Sequence, residues 1–235
     1  MSGVRPAAFI LALIALAACR ERAEESRFPE PDRPVAPIVS SRYSNEDARD
    51  SVGEFETVVE LAEVEPGMTV ADIGAGEGYY TVRLSPLVGE EGRVLAQDII
   101  PETRDALARR VQREQLDNVA VKLGLPNDPR LPEGSFERIL LIHMYHEIQR
   151  PAEFLWRLRP ALTKDGSVVV VDADRPTAQH GTPPKLLICE FEAVGYQLAR
   201  FERLPDDKAY FAMFRADGMR PEPEDIPVCA GLSPS

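Results

Sequence analysis

Apolar residues in this chain follow two alternating patterns from about residue 68 onward. Short, nearly continuous apolar runs are typical of strands, and apolar residues recurring every three or four positions are typical of amphipathic helices. The predicted strands are Thr69–Ile73, Arg93–Gln97, Val119–Leu123, Phe136–Ile142 and Ser167–Val171. The predicted helices are Asn45–Ser51, Glu54–Glu63, Tyr79–Leu87, the segment from Pro101 to about Gln115, Pro151–Leu158 and the segment from Pro183 to Gly195.

The fourth and fifth strands are almost wholly apolar, which suits strands covered by helices on both faces of a parallel sheet. A turn at Asp165–Gly166 precedes the fifth strand. Two further strands, Tyr196–Arg203 and Lys208–Arg215, follow the last helix and predict an antiparallel hairpin. The pattern therefore predicts a doubly wound α/β fold with a mostly parallel seven-stranded sheet, whose ligand lies at the carboxyl ends of the strands.

The N-terminal segment predicts export. Residues 7–18 form an apolar run that is too short to span a bilayer and fits the core of a signal peptide. The run ends in Leu16-Ala17-Ala18-Cys19, which is similar to the lipobox of bacterial lipoproteins. The similarity implies cleavage before Cys19, lipid attachment to it and, with Arg20 following, a periplasm-facing lipoprotein of the outer membrane. An ordinary cleaved signal or an uncleaved anchor is the alternative.

The domain boundaries follow from composition. We predict a signal peptide over 1–18, a lipidated cysteine with a disordered, proline-rich tether over 19–41, the folded domain over 42–216 and a tail over 217–235. The net charge of -12 over 235 residues disfavours a nucleic-acid partner. Cys189 lies on an apolar helix face and Cys229 in the tail. Export permits a disulfide between them, and two separate thiols are the alternative.

The candidate ligand site is the stretch Val70–Tyr80, VADIGAGEGYY. A strand, a glycine turn and a helix N-terminus form a cradle for a nucleotide-like ligand, because glycine permits close backbone approach and the helix offers free N–H groups. The dinucleotide fingerprint GxGxxG would need a third glycine at position 79, which is Tyr79. An acid followed by alternating glycines (Asp72, Gly74, Gly76 and Gly78) instead favours S-adenosylmethionine.

The segments VADIGAGEGYYTVRL, GRVLAQDI and LPEGSFERILLIHMYHEI resemble class I S-adenosylmethionine-dependent methyltransferases, and more narrowly a bacterial group of predicted secreted methyltransferases. The resemblance covers about Ser41–Ala216. It implies that the glycine stretch lines the cofactor and that Asp98 binds its ribose hydroxyls. The acid that the family places beside adenine is displaced here, so that Asp128 or Asn127 is the expected contact.

The acceptor side is expected at the end of the fourth strand. His146 or His143 is a candidate general base, because histidine titrates near neutrality. Their HxxHE spacing does not match known zinc motifs, and with His180 the only other histidine we expect no metal. Asp172 and Asp174 either line the pocket or cap the loop. No NPPY-like motif follows the strand, so a small-molecule or lipid-like acceptor is expected.

Three functions compete at this stage. The first is methyl transfer, although S-adenosylmethionine belongs to the cytoplasm and the leader predicts export. The second is an exported lipoprotein that binds an adenosyl-type or other small ligand without catalysis. The third is an NAD-dependent oxidoreductase, which the bulk of Tyr79 disfavours.

Overall fold

A computed structural model describes residues 27–38, 46–204 and 209–230. The predicted signal peptide, Cys19, the start of the first predicted helix at Asn45 and most of the loop between the last two strands lie outside the described residues. Within the described ranges, no helix combines the length and the apolar character needed to cross a bilayer.

A seven-stranded sheet forms the centre of the domain, in the order β3-β2-β1-β4-β5-β7-β6. Its strands are β1 Thr69–Ile73, β2 Arg93–Asp98, β3 Val119–Leu123, β4 Phe136–Ile142, β5 Leu162–Ala173, β6 Tyr196–Arg203 and β7 Ala209–Ala216. Strands β1 to β5 are parallel, whereas β7 runs antiparallel to both β5 and β6. The predicted α/β fold with a closing antiparallel hairpin is confirmed.

Helices cover both faces of the sheet, as the apolar runs of β4 and β5 require. The helices are α1 Glu46–Ser51, α2 Glu54–Leu61, α3 Tyr79–Val88, α4 Pro101–Arg113, α5 Pro151–Leu158 and α6 Pro184–Ala193. On one face Leu141 and Val170 pack with α5 and α6, and on the other face Leu140 and Val169 pack with α2 and α3. Successive residues of a strand alternate between faces, so both faces of the sheet are apolar at these positions.

The fifth strand is longer than predicted, because Asp165 and Gly166 lie within it rather than in a turn. Its pairing with β4 jumps from Leu162 opposite Phe136 to Ser167 opposite Arg138, so the intervening residues form an irregular bulge. A Cβ on Gly166 would lie 2.5 Å from the carbonyl oxygen of Phe136. Glycine is therefore needed because the two backbones approach each other closely, and not because the chain reverses.

Residues 27–38, which we call the N-terminal strap, are packed on the domain, and the prediction of a disordered tether is wrong for them. Arg33 forms a buried ion pair with Glu190, with Nε 2.7 Å from Oε1. The Ala36 N–H donates to the His146 carbonyl, and Thr177 Oγ1 donates to the Pro34 carbonyl. Charge and proline content indicated a solvated segment, but pairing with acidic partners on the domain holds these residues in place.

The C-terminal tail is also fixed to the domain. Cys189 in α6 and Cys229 form a disulfide with their Cα atoms 6.0 Å apart. The indole N–H of Trp156 donates to the Pro221 carbonyl, and the Arg220 guanidinium lies over the indole ring. The disulfide therefore closes a tail that also makes its own side-chain contacts, and it is the first of the two alternatives expected for these cysteines.

Candidate active site

The glycine loop after β1 contains two kinds of glycine. Gly74, Gly76 and Gly78 all have positive φ, at 68°, 56° and 91°. Gly74 and Gly76 line the main cavity, and a Cβ on Gly76 would meet no atom within 4 Å. Gly78 is buried instead, and a Cβ there would lie 2.4 Å from Leu107 Cδ1. Of the two cavity-lining glycines, Gly76 therefore leaves space for a ligand, whereas a Cβ on Gly74 would lie 3.0 Å from Met144 Cγ. Gly78 lets α4 pack against the start of α3.

Asp98 fixes this loop to the end of β2. Its Oδ2 accepts the Gly76 N–H at 3.1 Å, and its Oδ1 accepts the Ile100 N–H at 2.8 Å. The side chain is buried in the cavity wall. Because a carboxylate has about four acceptor positions, Asp98 keeps the capacity to accept hydrogen bonds from a ligand.

Asp72 lies beneath the loop and outside the cavity lining. It is fully buried, and its Oδ2 accepts the Thr81 hydroxyl at 2.6 Å. Burial raises the pKa of Asp72 to about 6, and the Thr81 hydrogen bond offsets only part of this effect. The acid that begins the motif is thus placed to hold the first turn of α3 against β1.

The cavity has a volume of about 630 Å³ and opens at the carboxyl ends of the parallel strands. The wall next to Asp98 is apolar and consists of Ile99, Ile100, Leu125 and Pro126. Asp128 and Asn127 do not line the cavity. Asp128 Oδ1 accepts the Arg130 N–H at 2.8 Å, so this carboxylate supports its own turn.

Gln97 is the polar side chain that sequence reasoning missed on this wall. It is buried and lines the cavity, and its Nε2 has no hydrogen-bond partner among the described residues. A Cβ on Gly124 would overlap this amide, so the glycine after β3 makes room for it. The only sequence signal was a polar residue inside an otherwise apolar strand.

Tyr79 shows how a bulky side chain is accommodated where a dinucleotide fold has glycine. Its ring lies between the guanidinium groups of Arg49 and Arg83, at 3.9 and 4.0 Å from the centroid. Its hydroxyl donates to Asp50 at 2.8 Å. The first two helices thus pack over the start of α3 and bring Arg49 and Glu54 into the cavity lining.

The two predicted histidines both line the cavity but have different partners. His143 has a left-handed φ of 54°, and its Nε2 lies 3.1 Å from Glu54 Oε2. Burial would raise the pKa of Glu54, but His143 and Arg49 together lower it to about 2. His143 therefore connects the end of β4 to α2 through a charged partner.

His146 is held by Asp172, which lies within β5, one residue before the end of the strand. Its Nδ1 lies 2.9 Å from Asp172 Oδ1, and both side chains are buried. Asp172 also accepts the Thr182 hydroxyl at 2.8 Å and the Ala173 N–H at 2.8 Å. Since a carboxylate only accepts, Nδ1 is the donor to Asp172, and Nε2 is the ring nitrogen that faces away from Asp172.

Comparison with known proteins agrees with this geometry. The family model of the protein-L-isoaspartate(D-aspartate) O-methyltransferases matches residues 51–153. A protein-L-isoaspartate O-methyltransferase of Methanococcoides burtonii is 30% identical over 116 residues, which are 47% of this chain and 52% of the relative. A ubiquinone/menaquinone biosynthesis C-methyltransferase of Coxiella burnetii is 27% identical over 172 residues, covering 68% of this chain and 63% of the relative.

A solved structure covers more of the chain. The crystal structure of a SAM-dependent methyltransferase from Aquifex aeolicus superimposes with a TM-score of 0.69 at 24% identity, over 76% of this chain and 98% of that chain. The chain has the fold of class I S-adenosylmethionine-dependent methyltransferases and is similar to them in sequence. The cofactor named for the Aquifex protein is S-adenosylmethionine. The chain spans about half the length of the Methanococcoides relative, and the two curated relatives differ in the acceptor that their names give.

Replacing Asp72 with asparagine should stabilise the folded domain at neutral pH. The folded protein holds Asp72 with a pKa of about 6 against an ordinary value of 3.8. A raised acid pKa contributes stability below about pH 4 that is lost as the pH rises through about 6. Because each pH unit between the two pKa values corresponds to about 1.36 kcal/mol, the free energy of unfolding that the charged Asp72 removes at neutral pH is on the order of 3 kcal/mol. Urea unfolding of wild type and Asp72→Asn at pH 4 and pH 7.5 measures it.

The control for this experiment is Asp47→Asn, which removes a charge from an exposed side chain of α1. That variant should unfold with the same free energy as wild type at both pH values. If the stability difference between Asp72→Asn and wild type is the same at pH 4 and pH 7.5, Asp72 does not titrate as its burial requires.

Proposed function

We propose that this chain transfers the methyl group of S-adenosylmethionine to a small-molecule or lipid-like acceptor. The observation that carries the proposal is the open space above Gly76, directly beside the Asp98 carboxylate. A backbone without side chains next to a hydrogen-bond acceptor suits an adenosyl ligand whose ribose offers two hydroxyl donors. The similarity of the chain to methyltransferases supports the same cofactor.

Three features of the wall fit the cofactor. Asp98 can accept from the ribose hydroxyls while it keeps its two backbone N–H partners. Ile99, Leu125 and Pro126 offer an apolar slot for the adenine ring. The partnerless amide of Gln97 offers a donor beside this slot, so we assign the polar adenine contact to Gln97 in place of Asp128. When bound, S-adenosylmethionine supplies a methyl group activated by its sulfonium centre.

The acceptor side of the proposal rests on His146. Asp172 orients its ring so that a lone pair remains on Nε2, and the residue lines the cavity. A group in this state can take a proton from an acceptor that must lose one. His143 is the second candidate, although its Nε2 is already bonded to Glu54.

The acceptor class follows from the cavity wall and from the relatives. Ile38, Met144, Ile148 and Phe154 give the acceptor side an apolar lining that suits a small apolar or lipid-like molecule. The name of the Methanococcoides relative gives isoaspartyl protein as its substrate, and an isoaspartyl peptide is therefore the second acceptor to test. Methyl transfer mainly requires the protein to position the acceptor against the cofactor and to exclude water.

A Gly76→Ala variant should lose the cofactor but keep the fold. The added methyl group meets no protein atom within 4 Å, so it would occupy ligand space and leave the core unchanged. We expect affinity for S-adenosylhomocysteine to fall at least about tenfold, or 1.4 kcal/mol. Calorimetric titration measures this loss, and transfer of labelled methyl to either acceptor class should fall with it.

The matched control is Gly134→Ala. Gly134 has nearly the same φ, 58°, it also has open space around its Cβ position, and it lies outside the cavity. Backbone strain should therefore lower the stability of both variants equally, while only Gly76→Ala affects binding. Normal S-adenosylhomocysteine binding by Gly76→Ala, or tight binding of NADH by wild type, would contradict the proposed site.

A second candidate function is ligand binding without catalysis in the cell envelope. The leader and the lipobox support an anchor at Cys19, and the Cys189–Cys229 disulfide is of the kind that persists in oxidising compartments. We propose the envelope as the location for either function. Within that compartment, binding of S-adenosylhomocysteine without any transfer of label would favour the second candidate over the first.

The location makes a separate prediction. Wild-type chain should fractionate with membranes, and Cys19→Ala should not, because the variant lacks the acylated thiol. Alkylation of the denatured wild type should leave Cys189 and Cys229 unmodified until a reductant is added, as mass spectrometry of their peptides reports. Membrane association of Cys19→Ala, or reaction of both cysteines without reductant, would argue for another location.

A further inference from the structure

A cluster of three side chains lies on the acceptor side of the cavity. His146 and Glu147 belong to a 3₁₀ turn, Tyr145–Glu147, which follows β4. His180 caps a second 3₁₀ turn, Thr177–Gln179, which follows β5. One nitrogen or oxygen atom from each of the three residues lies within 4.8 Å of the other two. All three residues line the cavity, although only His146 and His143 were expected there.

We infer that His146, Glu147 and His180 bind a divalent transition-metal ion, with Zn²⁺ as the ion that suits them best. Two imidazoles and one carboxylate are a ligand set for zinc, and three protein ligands leave at least one coordination position for a molecule in the cavity. The chain spacing gave no sign of this site, since the third ligand comes from the loop after a different strand.

The ligand that is most firmly held is His146. Asp172 accepts its Nδ1–H, and Asp172 is itself held by Thr182 and by the Ala173 N–H. A carboxylate behind a histidine fixes the ring orientation and the tautomer that leaves Nε2 for the metal. The buried dyad thus has the form of a ligand with its supporting outer partner.

Hydrogen bonds to backbone carbonyl groups hold the two turns that carry the imidazoles. The N-terminal strap ties both turns, because Ala36 donates to the His146 carbonyl and Thr177 donates to the Pro34 carbonyl. His180 has a left-handed φ of 59°, and its carbonyl accepts from Arg175 Nε at 3.0 Å. These contacts fix the two turns side by side, with the rings of His146 and His180 5.5 Å apart and perpendicular.

The remaining adjustment is small. Ligand atoms about 2.0–2.1 Å from zinc in a tetrahedral site are about 3.3 Å apart, and the present limit is 4.8 Å. Glu147 and His180 are only partly buried, so rotation of their side chains can close this distance. Asp174 also lines the cavity, but its carboxylate is paired with Arg203 and is not part of the cluster.

A metal ion and a proton would compete for the same Nε2 lone pair of His146. This consequence rests on the proposed function, whereas metal binding itself does not. In the metal-loaded chain His146 is a ligand and not a base, and an acceptor with an oxygen or sulfur donor would meet the open coordination position. In the metal-free chain the same nitrogen is available for a proton.

The test is calorimetric titration of the full chain, first stripped with EDTA and dialysed, with ZnCl₂. Wild type should bind one Zn²⁺ per chain. Glu147→Gln and His180→Ala should each weaken Zn²⁺ binding by about 100-fold or more. Loss of a residue that only supports a metal ligand already weakens binding by about 10- to 100-fold, and these variants lose a ligand itself. His143→Ala is the matched control, because it removes a cavity histidine that is not part of the cluster, and it should bind Zn²⁺ within about threefold of wild type.

Titration of each variant with S-adenosylhomocysteine, together with thermal unfolding, shows that the variants are folded. Wild type that takes up no stoichiometric Zn²⁺ would overturn the inference, and so would equal binding by all variants, which would indicate adventitious binding to an acidic chain. If wild type binds Zn²⁺ as expected but not S-adenosylhomocysteine, the metal site stands and the proposed function fails.

Discussion

The bonds from the Asp98 carboxylate to the Gly76 and Ile100 N–H groups are the contacts on which the cavity depends. They join the loop after β1 to the turn after β2, while the Gly74 and Ala75 N–H groups donate to the Gln97 carbonyl. The strand order places β1 between β2 and β4. The connection after β1 therefore leads to one side of the sheet, and the connection after β3 leads to the other side. A crevice opens where the connections diverge in this way. The hydrogen bonds hold the glycine loop after β1 in place, so that backbone without side chains forms the floor of the crevice.

Much of this could be predicted from residues that act locally. The apolar runs of β4 and β5, the alternating glycines and the acid at the end of β2 each carry their own signal, because burial on two faces or a positive φ restricts which residues fit. The bulge in β5 could not be predicted, because glycine is required at position 166 by the close approach of the Phe136 backbone, which is distant in the sequence.

The contacts between distant segments were also invisible in the sequence. In the sequence Arg33 is one of several charged residues, and only the structure shows that it pairs with Glu190. Asp128 is close to the position of the family's adenine contact, but in the structure its carboxylate accepts a hydrogen bond from its own turn. Gln97, Glu54 and His180 enter the cavity from different elements, and no spacing along the chain relates them. Gly74 and Gly76 reach the cavity lining through a local pattern that the sequence displays, whereas the rest of the lining is assembled from several loops.

The buried acids have a common cost and separate uses. Asp72 is buried beneath the loop with a raised pKa, and Asp172 is buried behind His146, so the domain accepts ionisable groups in its interior next to the cavity. Such groups lower stability unless they are fully bonded, and they are expected where function outweighs stability. The N-terminal strap and the disulfide-bonded tail stabilise the same half of the domain from outside.

The central claim is that an adenosyl ligand binds over the backbone of Gly74 and Gly76, beside Asp98. A crystal structure of the full chain grown with S-adenosylhomocysteine tests it most directly. We expect the ribose hydroxyls within hydrogen-bond distance of Asp98 and the adenine ring between Ile99 and Leu125. Ligand density elsewhere on the domain, with the space above Gly76 empty, would contradict the account.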